Sequence, residues 1–252
     1  ENLKNNFVKF LNKTPSFGKS FICLDNQNNK DILKKISNMN YHTYGLDEKS
    51  NFRILNIVQK IDYSKFDIKI SLPSTKKKYI KNIKIPIIGL HNIRNATAAV
   101  AVSSSIGISN KLIIDGLKNF QGVQRRFTKI FSFQKVPFFD DYAHHPTEII
   151  EVLNGVKEVY KNKEIVCIFQ PHRISRLKNL KREFSKAFAK ADVVVLCPIY
   201  KAGENINLGF KYSNFAKELI RNSKIKVILI LEFLINSFAK FEYLNPRLIF
   251  SP

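Results

Sequence analysis

Apolar positions in the first 120 residues follow helical and strand-like periodicities in turn. Leu3, Phe7 and Phe10 recur at the three- and four-residue spacing of a helix. Other segments alternate apolar and polar residues or are short apolar runs, and both patterns predict strands. The predicted strands are residues 20–24, 41–46, 52–58, 66–72 and 79–85, and the predicted helices are residues 3–11, a segment around Ile32, 92–107 and 110–120.

A different order of elements begins after residues 121–124 (Gln-Gly-Val-Gln), the best candidate for a linker. From here strands and helices alternate, which is typical of a parallel sheet covered on both faces. The simplest arrangement makes strands 136–139 and 164–169 parallel neighbours. The pattern therefore predicts an α/β fold with two lobes that meet near residues 121–126. The remaining predicted strands are 193–197 and 225–231, and the predicted helices are 146–160, 175–190 and 212–222.

The composition is that of a soluble globular protein, with 44% hydrophobic and 25% charged residues. No apolar run reaches the roughly 18 to 20 residues that a membrane helix needs, so no membrane partner is expected. Three cysteines, Cys23, Cys167 and Cys197, lie far apart in apolar runs. Such thiols are typical of buried positions in a reducing compartment, and we therefore expect a cytoplasmic protein.

The net charge of +22 raises the question of nucleic-acid binding. The lysines, however, are spread along the chain beside many Asn and Ile residues, as AT-rich codons produce. The only dense cluster, Lys76 to Lys78, fits a solvated hairpin loop. The charge leaves room for a polyanionic small molecule such as a nucleotide, and a basic, non-catalytic module that binds anions or nucleic acid stays open as an alternative.

Polar residues follow three of the predicted strands of the second half. These loops are residues 140–148 (Asp-Asp-Tyr-Ala-His-His-Pro-Thr-Glu), 170–176 (Gln-Pro-His-Arg-Ile-Ser-Arg) and 198–204 (Pro-Ile-Tyr-Lys-Ala-Gly-Glu). Ligands of α/β sheets bind at the carboxyl ends of the strands. Three neighbouring strand ends thus present acids, imidazoles and guanidinium groups to one edge, although each residue taken singly fits a helix cap or an exposed position equally well.

Two pairs in these loops suggest particular chemistry. The adjacent His144 and His145 invite a zinc site, but neighbouring residues rarely bind one ion and no third ligand is suitably spaced. We therefore predict no metal site in this chain. Arg173 and Arg176 lie one turn apart at a predicted helix start, where both can face one anion that the helix N-terminus also favours. Two solvated arginines explain the spacing equally well.

A third pair opens the Ala-rich helix of the first half. Asn92 and Asn95 are three residues apart and therefore share a face of the first turn. An amide side chain offers both a donor and an acceptor, as the edge of an adenine ring requires. The alternative is that Asn92 caps the helix.

Four segments resemble the Mur ligases in their order and approximate spacing: residues 89–99, 122–127, 140–148 and 170–176. The resemblance spans about residues 1–205. The string from Asp140 to Glu148, together with Arg173 and Arg176, is most similar to the family members that join L-alanine to UDP-N-acetylmuramate. A sister ligase with a different amino-acid or peptide acceptor remains an alternative.

The resemblance implies a domain organisation and an activity. Residues 1–124 would form the second half of a central ATPase domain, and residues 125–252 a C-terminal Rossmann-like domain with a mostly parallel sheet. The activity would be ATP-dependent ligation in peptidoglycan synthesis: the lactyl carboxylate attacks the γ-phosphate of ATP, and the amine of the amino acid displaces phosphate from the resulting acyl phosphate. The implied partners are ATP, UDP-N-acetylmuramate and L-alanine, with Mg2+ as cofactor and without nucleic acid.

The resemblance also implies roles for single residues. The residues expected at ATP are Asn92, Asn95, Arg126 and Asp141. The residues expected at the muramoyl substrate or its phosphates are Tyr142, His144, His145, Arg173 and Arg176.

Two features depart from the family pattern. No Gly-x-x-x-x-Gly-Lys-Ser/Thr loop occurs in the sequence, and the family's Mg2+ ligands precede the point where this chain starts. The stretch from Leu244 to Pro252 lacks the Gly-rich turn usual near the family's C-terminus, so we expect the second domain to be truncated or divergent there. We accordingly expect the chain alone to be inactive.

Overall fold

A computed structural model describes residues 2–38, 40–73, 75–204, 212–222, 225–229 and 248–251. The chain divides into two compact units, Glu1–Gln121 (unit 1) and Gly122–Pro252 (unit 2). The α/β class predicted from the sequence is confirmed, since both units combine a sheet with helices. Over the described ranges, no helix combines the length and the apolar character needed to cross a bilayer.

Unit 1 contains a five-stranded sheet in the order β1-β2-β3-β4-β5. The first three strands run parallel, and the last three form antiparallel pairs. The strands are β1 (Ser20–Cys23), β2 (Tyr41–Gly45), β3 (Phe52–Lys60), β4 (Tyr63–Ile70) and β5 (Lys78–Ile85), and the helices are α1 (Asn2–Asn12), α2 (Gln27–Leu33), α3 (Leu90–Ser105) and α4 (Asn110–Lys118).

The core of unit 1 forms between its sheet and α3. Phe66 and Ile68 on β4 are fully buried together with Ile93 and Val100 on α3. Along β4, every second residue is buried and the residues between are partly or fully exposed, which explains why the sequence pattern indicated a strand there.

An ion pair ties three segments of unit 1 together. Asp25, just after β1, accepts hydrogen bonds from Arg94 Nε of α3 (2.7 Å) and from the backbone N–H of Leu46 after β2 (2.7 Å). The side chain of Asp25 is buried and that of Arg94 is mostly so. This contact fixes the start of α3, and with it Asn92 and Asn95, to the strand ends of the unit.

Unit 2 contains a six-stranded sheet in the order β10-β9-β8-β11-β7-β6. Its strands are β6 (Thr128–Phe133), β7 (Val136–Asp141), β8 (Val166–Phe169), β9 (Val193–Leu196), β10 (Lys226–Leu229) and β11 (Leu248–Ser251), and its helices are α5 (Pro146–Val159), α6 (Ile174–Asn179), α7 (Lys181–Ala187) and α8 (Tyr212–Asn222). The strands β8, β9 and β10 pair in parallel, and the core includes Ile149, Leu153, Cys167 and Phe169.

The expectation that β7 and β8 are neighbours is wrong. The strand β11 lies between them and pairs antiparallel with both. Two strands that are each antiparallel to a third run in the same direction, so the loops after β7 and β8 still emerge at one edge of the sheet. The interposed strand separates these loops by one additional strand spacing, about 4.8 Å.

Two further expectations for unit 2 differ from the structure. The single helix predicted over residues 175–190 is two helices, α6 and α7, because Leu180 leaves the helical region at φ −116° and ψ 27°. The strand β6 was not predicted. It pairs with β7 through a two-residue turn, Gln134 and Lys135, both with positive φ as in the primed hairpin turns.

The position of β11 inside the sheet generates a prediction. Ile249 pairs with Asp140 of β7 and with Ile168 of β8. We expect Ile249→Pro to lower the stability of unit 2 by about 3 kcal/mol, because proline removes a backbone N–H and distorts a central strand. Hydrogen exchange of the β7 and β8 amides measures this, with Ile249→Val as the matched control that keeps the N–H. Unchanged exchange in both strands would contradict the pairing.

Candidate functional site

Asp141, the last residue of β7, is held by backbone donors on two sides. Its carboxylate accepts hydrogen bonds from the N–H groups of Phe127 (2.8 Å) and Ala143 (2.7 Å). Burial raises the pKa of Asp141 to about 6, although these two bonds and the charge of Arg126 act in the opposite direction. Arg126 itself is exposed. The carboxylate therefore shapes the start of the loop and carries a titratable proton near neutral pH.

The loop after β7 places an aromatic ring and an imidazole side by side. The rings of Tyr142 and His144 are 4.8 Å apart and meet edge to face, and the guanidinium group of Arg125 lies 4.7 Å from the centre of the Tyr142 ring. His144 Nδ1 donates to the carbonyl oxygen of Tyr142 at 2.9 Å, since a carbonyl can only accept. In neutral His144 the lone pair is consequently on Nε2.

His145 is the N-cap of helix α5. Its Nδ1 accepts the N–H of Thr147 (3.3 Å), while Glu148 accepts the N–H groups of His144 (3.0 Å) and His145 (3.2 Å) in a capping box. These contacts lower the pKa of Glu148 against the effect of its burial. The structure thus gives the two adjacent histidines different surroundings, and only the ring of His144 lies against Tyr142.

The loop after β8 brings His172 and Arg176 to the same edge. The ring of His172 lies 6.1 Å from that of His144 and 5.4 Å from that of Tyr200. Arg176 Nη1 is 3.5 Å from His172 Nδ1, and because a guanidinium group can only donate, this nitrogen accepts. Burial and the charges of Arg176, His144 and Arg173 lower the pKa of His172, so the ring is neutral and orients Arg176.

The structure therefore brings most of the predicted substrate residues of unit 2 together. Tyr142, His144 and Arg176 are linked through His172, and Arg173 is close enough to influence the pKa of His172. We name Tyr142, His144, His172, Arg173 and Arg176 the strand-end cluster.

Arg173 has an unusual backbone. Its φ is +68°, a region that residues other than glycine rarely adopt. The conformation is held by its N–H, which donates to the carbonyl oxygen of Tyr200 (2.9 Å), while the N–H of Tyr200 donates to Pro171 (2.8 Å). These bonds extend the parallel pairing of β8 and β9 beyond the strands, as the bridge between His172 and Tyr200 also records.

Asn92 and Asn95 occupy the first turn of α3 in unit 1. The helix begins at Leu90 with Gly89 as its N-cap at φ 98°, and no side chain caps it. Asn92 does not cap the helix: its Nδ2 donates to the carbonyl oxygen of Ile88 (2.7 Å). Asn92 is half-buried and Asn95 is exposed, so each presents amide atoms at the start of α3.

Sequence reasoning missed four residues that contribute to the site in unit 2: Arg125, His172, Tyr200 and Glu204. His172, Tyr200 and Glu204 lie in loops that the polar pattern had identified, and Arg125 lies in segment 122–127, but their contacts join segments distant in the sequence. For His172, a position directly after a strand and beside two arginines was the available signal. Within the ranges that the structure describes, no three His, Cys, Asp or Glu side chains group as a metal site requires.

The pKa of Asp141 generates a prediction. Because its pKa is higher in the folded state than the unfolded value of about 4, the folded state binds the proton more tightly. The resulting stabilisation is full below pH 4 and is lost as the pH rises through 6. Carbon NMR of the carboxyl group, assigned by the signal that disappears in Asp141→Asn, should titrate near pH 6. A midpoint near 4 would contradict the effect of burial.

The comparisons with known proteins match both units. Residues 1–103 match the model of the Mur ligase middle domain, and residues 125–240 match that of the Mur ligase glutamate ligase domain. UDP-N-acetylmuramate–L-alanine ligase of Pelagibacter ubique is 62% identical over 91% of this chain and 50% of its own length. The enzyme of that name from Bartonella tribocorum is 35% identical over 97% of this chain and 52% of its own length.

A solved structure agrees with these matches in fold. UDP-N-acetylmuramate–alanine ligase of Thermotoga maritima superposes with a TM-score of 0.61 at 24% identity, covering 87% of this chain and 49% of its own. The chain spans about half the length of the curated relatives it matches. The two family models together cover most of the sequence in the order of the two units, and the chain belongs to the Mur ligase family.

Proposed function

We propose that the protein containing this chain joins L-alanine to UDP-N-acetylmuramate in peptidoglycan synthesis, using ATP. The observation that carries the proposal is the strand-end cluster, in which imidazole, phenol and guanidinium groups from two loops meet at one sheet edge. The names of the curated relatives supply the substrates. A non-catalytic anion-binding module is disfavoured, because the matched family consists of ligases.

The two arginines bind the anionic part of the substrate in this proposal. Arg173 is exposed and Arg176 is half-buried, so both guanidinium groups can reach a carboxylate or phosphate. Their planar forks bind such groups through paired, charge-assisted hydrogen bonds. His172 supports this role, because its neutral ring accepts a hydrogen bond from Arg176 and adds no competing charge.

His144 is the group that we assign to the amino-acid substrate. With Nδ1 donating to Tyr142, the lone pair on Nε2 can accept a hydrogen bond from the amine of L-alanine and direct its nitrogen toward the activated carboxyl group. The Tyr142 ring beside it is 38% exposed and therefore accessible to a ligand. We assign His145 to the capping of α5 rather than to substrate, because its Nδ1 is already occupied.

The nucleotide is assigned to two further pairs of residues. Asn92 and Asn95 supply donors and acceptors for the adenine ring; the Oδ1 atom of Asn92 remains available because its contact uses Nδ2. Arg126 is assigned to the phosphate and ribose side, where its exposed guanidinium group attracts negative charge. Asp141, which is buried and bonded to two backbone N–H groups, supports this side by fixing the loop. When bound, Mg2+ neutralises phosphate charge, and we place its ligands in the part of the relatives' length that this chain does not span.

Removing Arg173 tests the assignment of the arginines. In the full-length ligase, we expect Arg173→Ala to raise KM for UDP-N-acetylmuramate by roughly tenfold to a hundredfold, since one charge-assisted contact is worth about 1.5 to 3 kcal/mol. Steady-state kinetics with varied UDP-N-acetylmuramate measure this. Arg182→Ala, which removes an exposed guanidinium group from α7, is the matched control and should leave KM unchanged. Equal KM values for both variants would contradict the assignment.

The absence of the full Gly-x-x-x-x-Gly-Lys-Ser/Thr phosphate-binding loop from the sequence leads to a second prediction: Gly18, Lys19 and Ser20 occur together, but position 13 is lysine instead of the first glycine. The 252-residue chain by itself should release no phosphate from ATP in the presence of Mg2+, UDP-N-acetylmuramate and L-alanine. A coupled phosphate assay on the purified chain measures this, with the full-length protein as the positive control. Substrate-dependent phosphate release by the chain alone would show that its own residues complete the ATP site.

A further inference from the structure

Helix α6, which carries Arg176, begins without a side-chain cap of its own. Its N-cap residue is Arg173, whose side chain makes no capping hydrogen bond. The N–H groups in the first turn of a helix have no partner within the helix and need an acceptor from elsewhere. The sequence of the loop supplies none of the usual capping residues at this position.

Glu204, from the loop after β9, supplies the missing acceptor. Its Oε2 accepts the backbone N–H of Ser175 at 3.0 Å, and its Oε1 accepts a short hydrogen bond from Ser175 Oγ. These bonds, the backbone N–H of Ile174 and the charge of Arg173 lower the pKa of Glu204. The carboxylate is therefore ionised at neutral pH and is bound to both donors of Ser175.

The loop that carries Glu204 is itself attached to the loop of the arginines. Tyr200 exchanges two backbone hydrogen bonds with Pro171 and Arg173, and Gln170 Nε2 donates to the carbonyl oxygen of Pro198 at 3.3 Å. Glu204 thus approaches α6 from a segment that already runs alongside it. The contact between Ser175 and Glu204 joins residues 29 apart in the sequence, and the backbone on both sides of it is held by these other bonds.

This arrangement changes the expected basis of anion recognition. A substrate anion cannot use the N–H groups of Ile174 and Ser175 at the start of α6, because Glu204 already accepts them. Binding must then depend on the guanidinium groups of Arg173 and Arg176, and hence on how the start of α6 orients them. A loop that is free to reorient would lose paired hydrogen bonds to the anion.

We propose that Glu204 is a positioning residue, which caps α6 from the neighbouring loop and thereby holds Arg173 and Arg176 in the orientation that binds the anionic substrate. The inference rests on the proposed function of these arginines. It predicts an effect on substrate binding rather than on the chemical step, because the arginine contacts are the same in the ground state and the transition state.

The test uses the full-length ligase and varied UDP-N-acetylmuramate. Glu204→Ala should raise KM about tenfold and change kcat by less than about twofold. Glu204→Gln should restore KM to within about threefold, since the amide oxygen can accept the Ser175 N–H while its NH2 group donates to Ser175 Oγ. Glu218→Ala, which removes a carboxylate bound to Lys181 of α7, is the matched control and should leave both constants unchanged.

A double-mutant cycle decides between positioning and mere stabilisation of the fold. If Glu204 acts through the arginines, Glu204→Ala should have no further effect on KM in an Arg173→Ala/Arg176→Ala enzyme. Additive effects, or an unchanged KM in Glu204→Ala, would overturn the inference. If the alanine variant does not fold, Ser175→Ala removes one of the two contacts and should raise KM in the same direction, and an unchanged value overturns the inference equally. An unaltered KM in the double arginine variant instead contradicts the proposed function itself.

Discussion

The pairing of β8 with β9, continued past the ends of both strands, is the contact on which the rest of the site depends. The backbone bonds between Tyr200 and residues 171 and 173 keep the two following loops side by side. They also stabilise the positive φ of Arg173, which a free loop would not favour. Without this extension, His172 would lose Tyr200 as a neighbour, and Glu204 would not reach Ser175. The backbone hydrogen bonds between the two loops therefore determine where their charged side chains lie.

Local pattern was sufficient to predict the elements whose burial is regular. The apolar runs of β8 and β9 and the alternation along β4 reflect positions that the core requires. The strand β6 was not predicted because all its residues after Thr128 are exposed, which leaves no alternation of buried and exposed positions. Its turn, Gln134 and Lys135, also lacks the Asn-Gly sequence typical of such hairpins. The insertion of β11 between β7 and β8 depends on long-range pairing, which four residues of sequence cannot specify.

The site could be predicted in outline because carboxyl ends of parallel strands share an edge. The rule holds whenever β7 and β8 run in the same direction, whether or not they are neighbours. Their loops therefore emerge at one edge although β11 separates the strands. The sequence predicted that the start of the arginine helix favours negative charge, but it did not identify Glu204 as the carboxylate that accepts the N–H of Ser175 there. The spacing of residues in the sequence could not predict side-chain contacts such as that of His172 with Arg176, because these depend on the backbone conformation of the loop.

Our main proposal is that the protein containing this chain adds L-alanine to UDP-N-acetylmuramate. The most direct measurement is the mass of the product when the full-length protein receives ATP, Mg2+, UDP-N-acetylmuramate and a mixture of L-alanine, L-glutamate and a tripeptide acceptor. We expect UDP-N-acetylmuramoyl-L-alanine as the dominant product, formed only when ATP is present. A product that carries glutamate or the tripeptide, or the absence of any ligated product from the folded full-length protein, would contradict it.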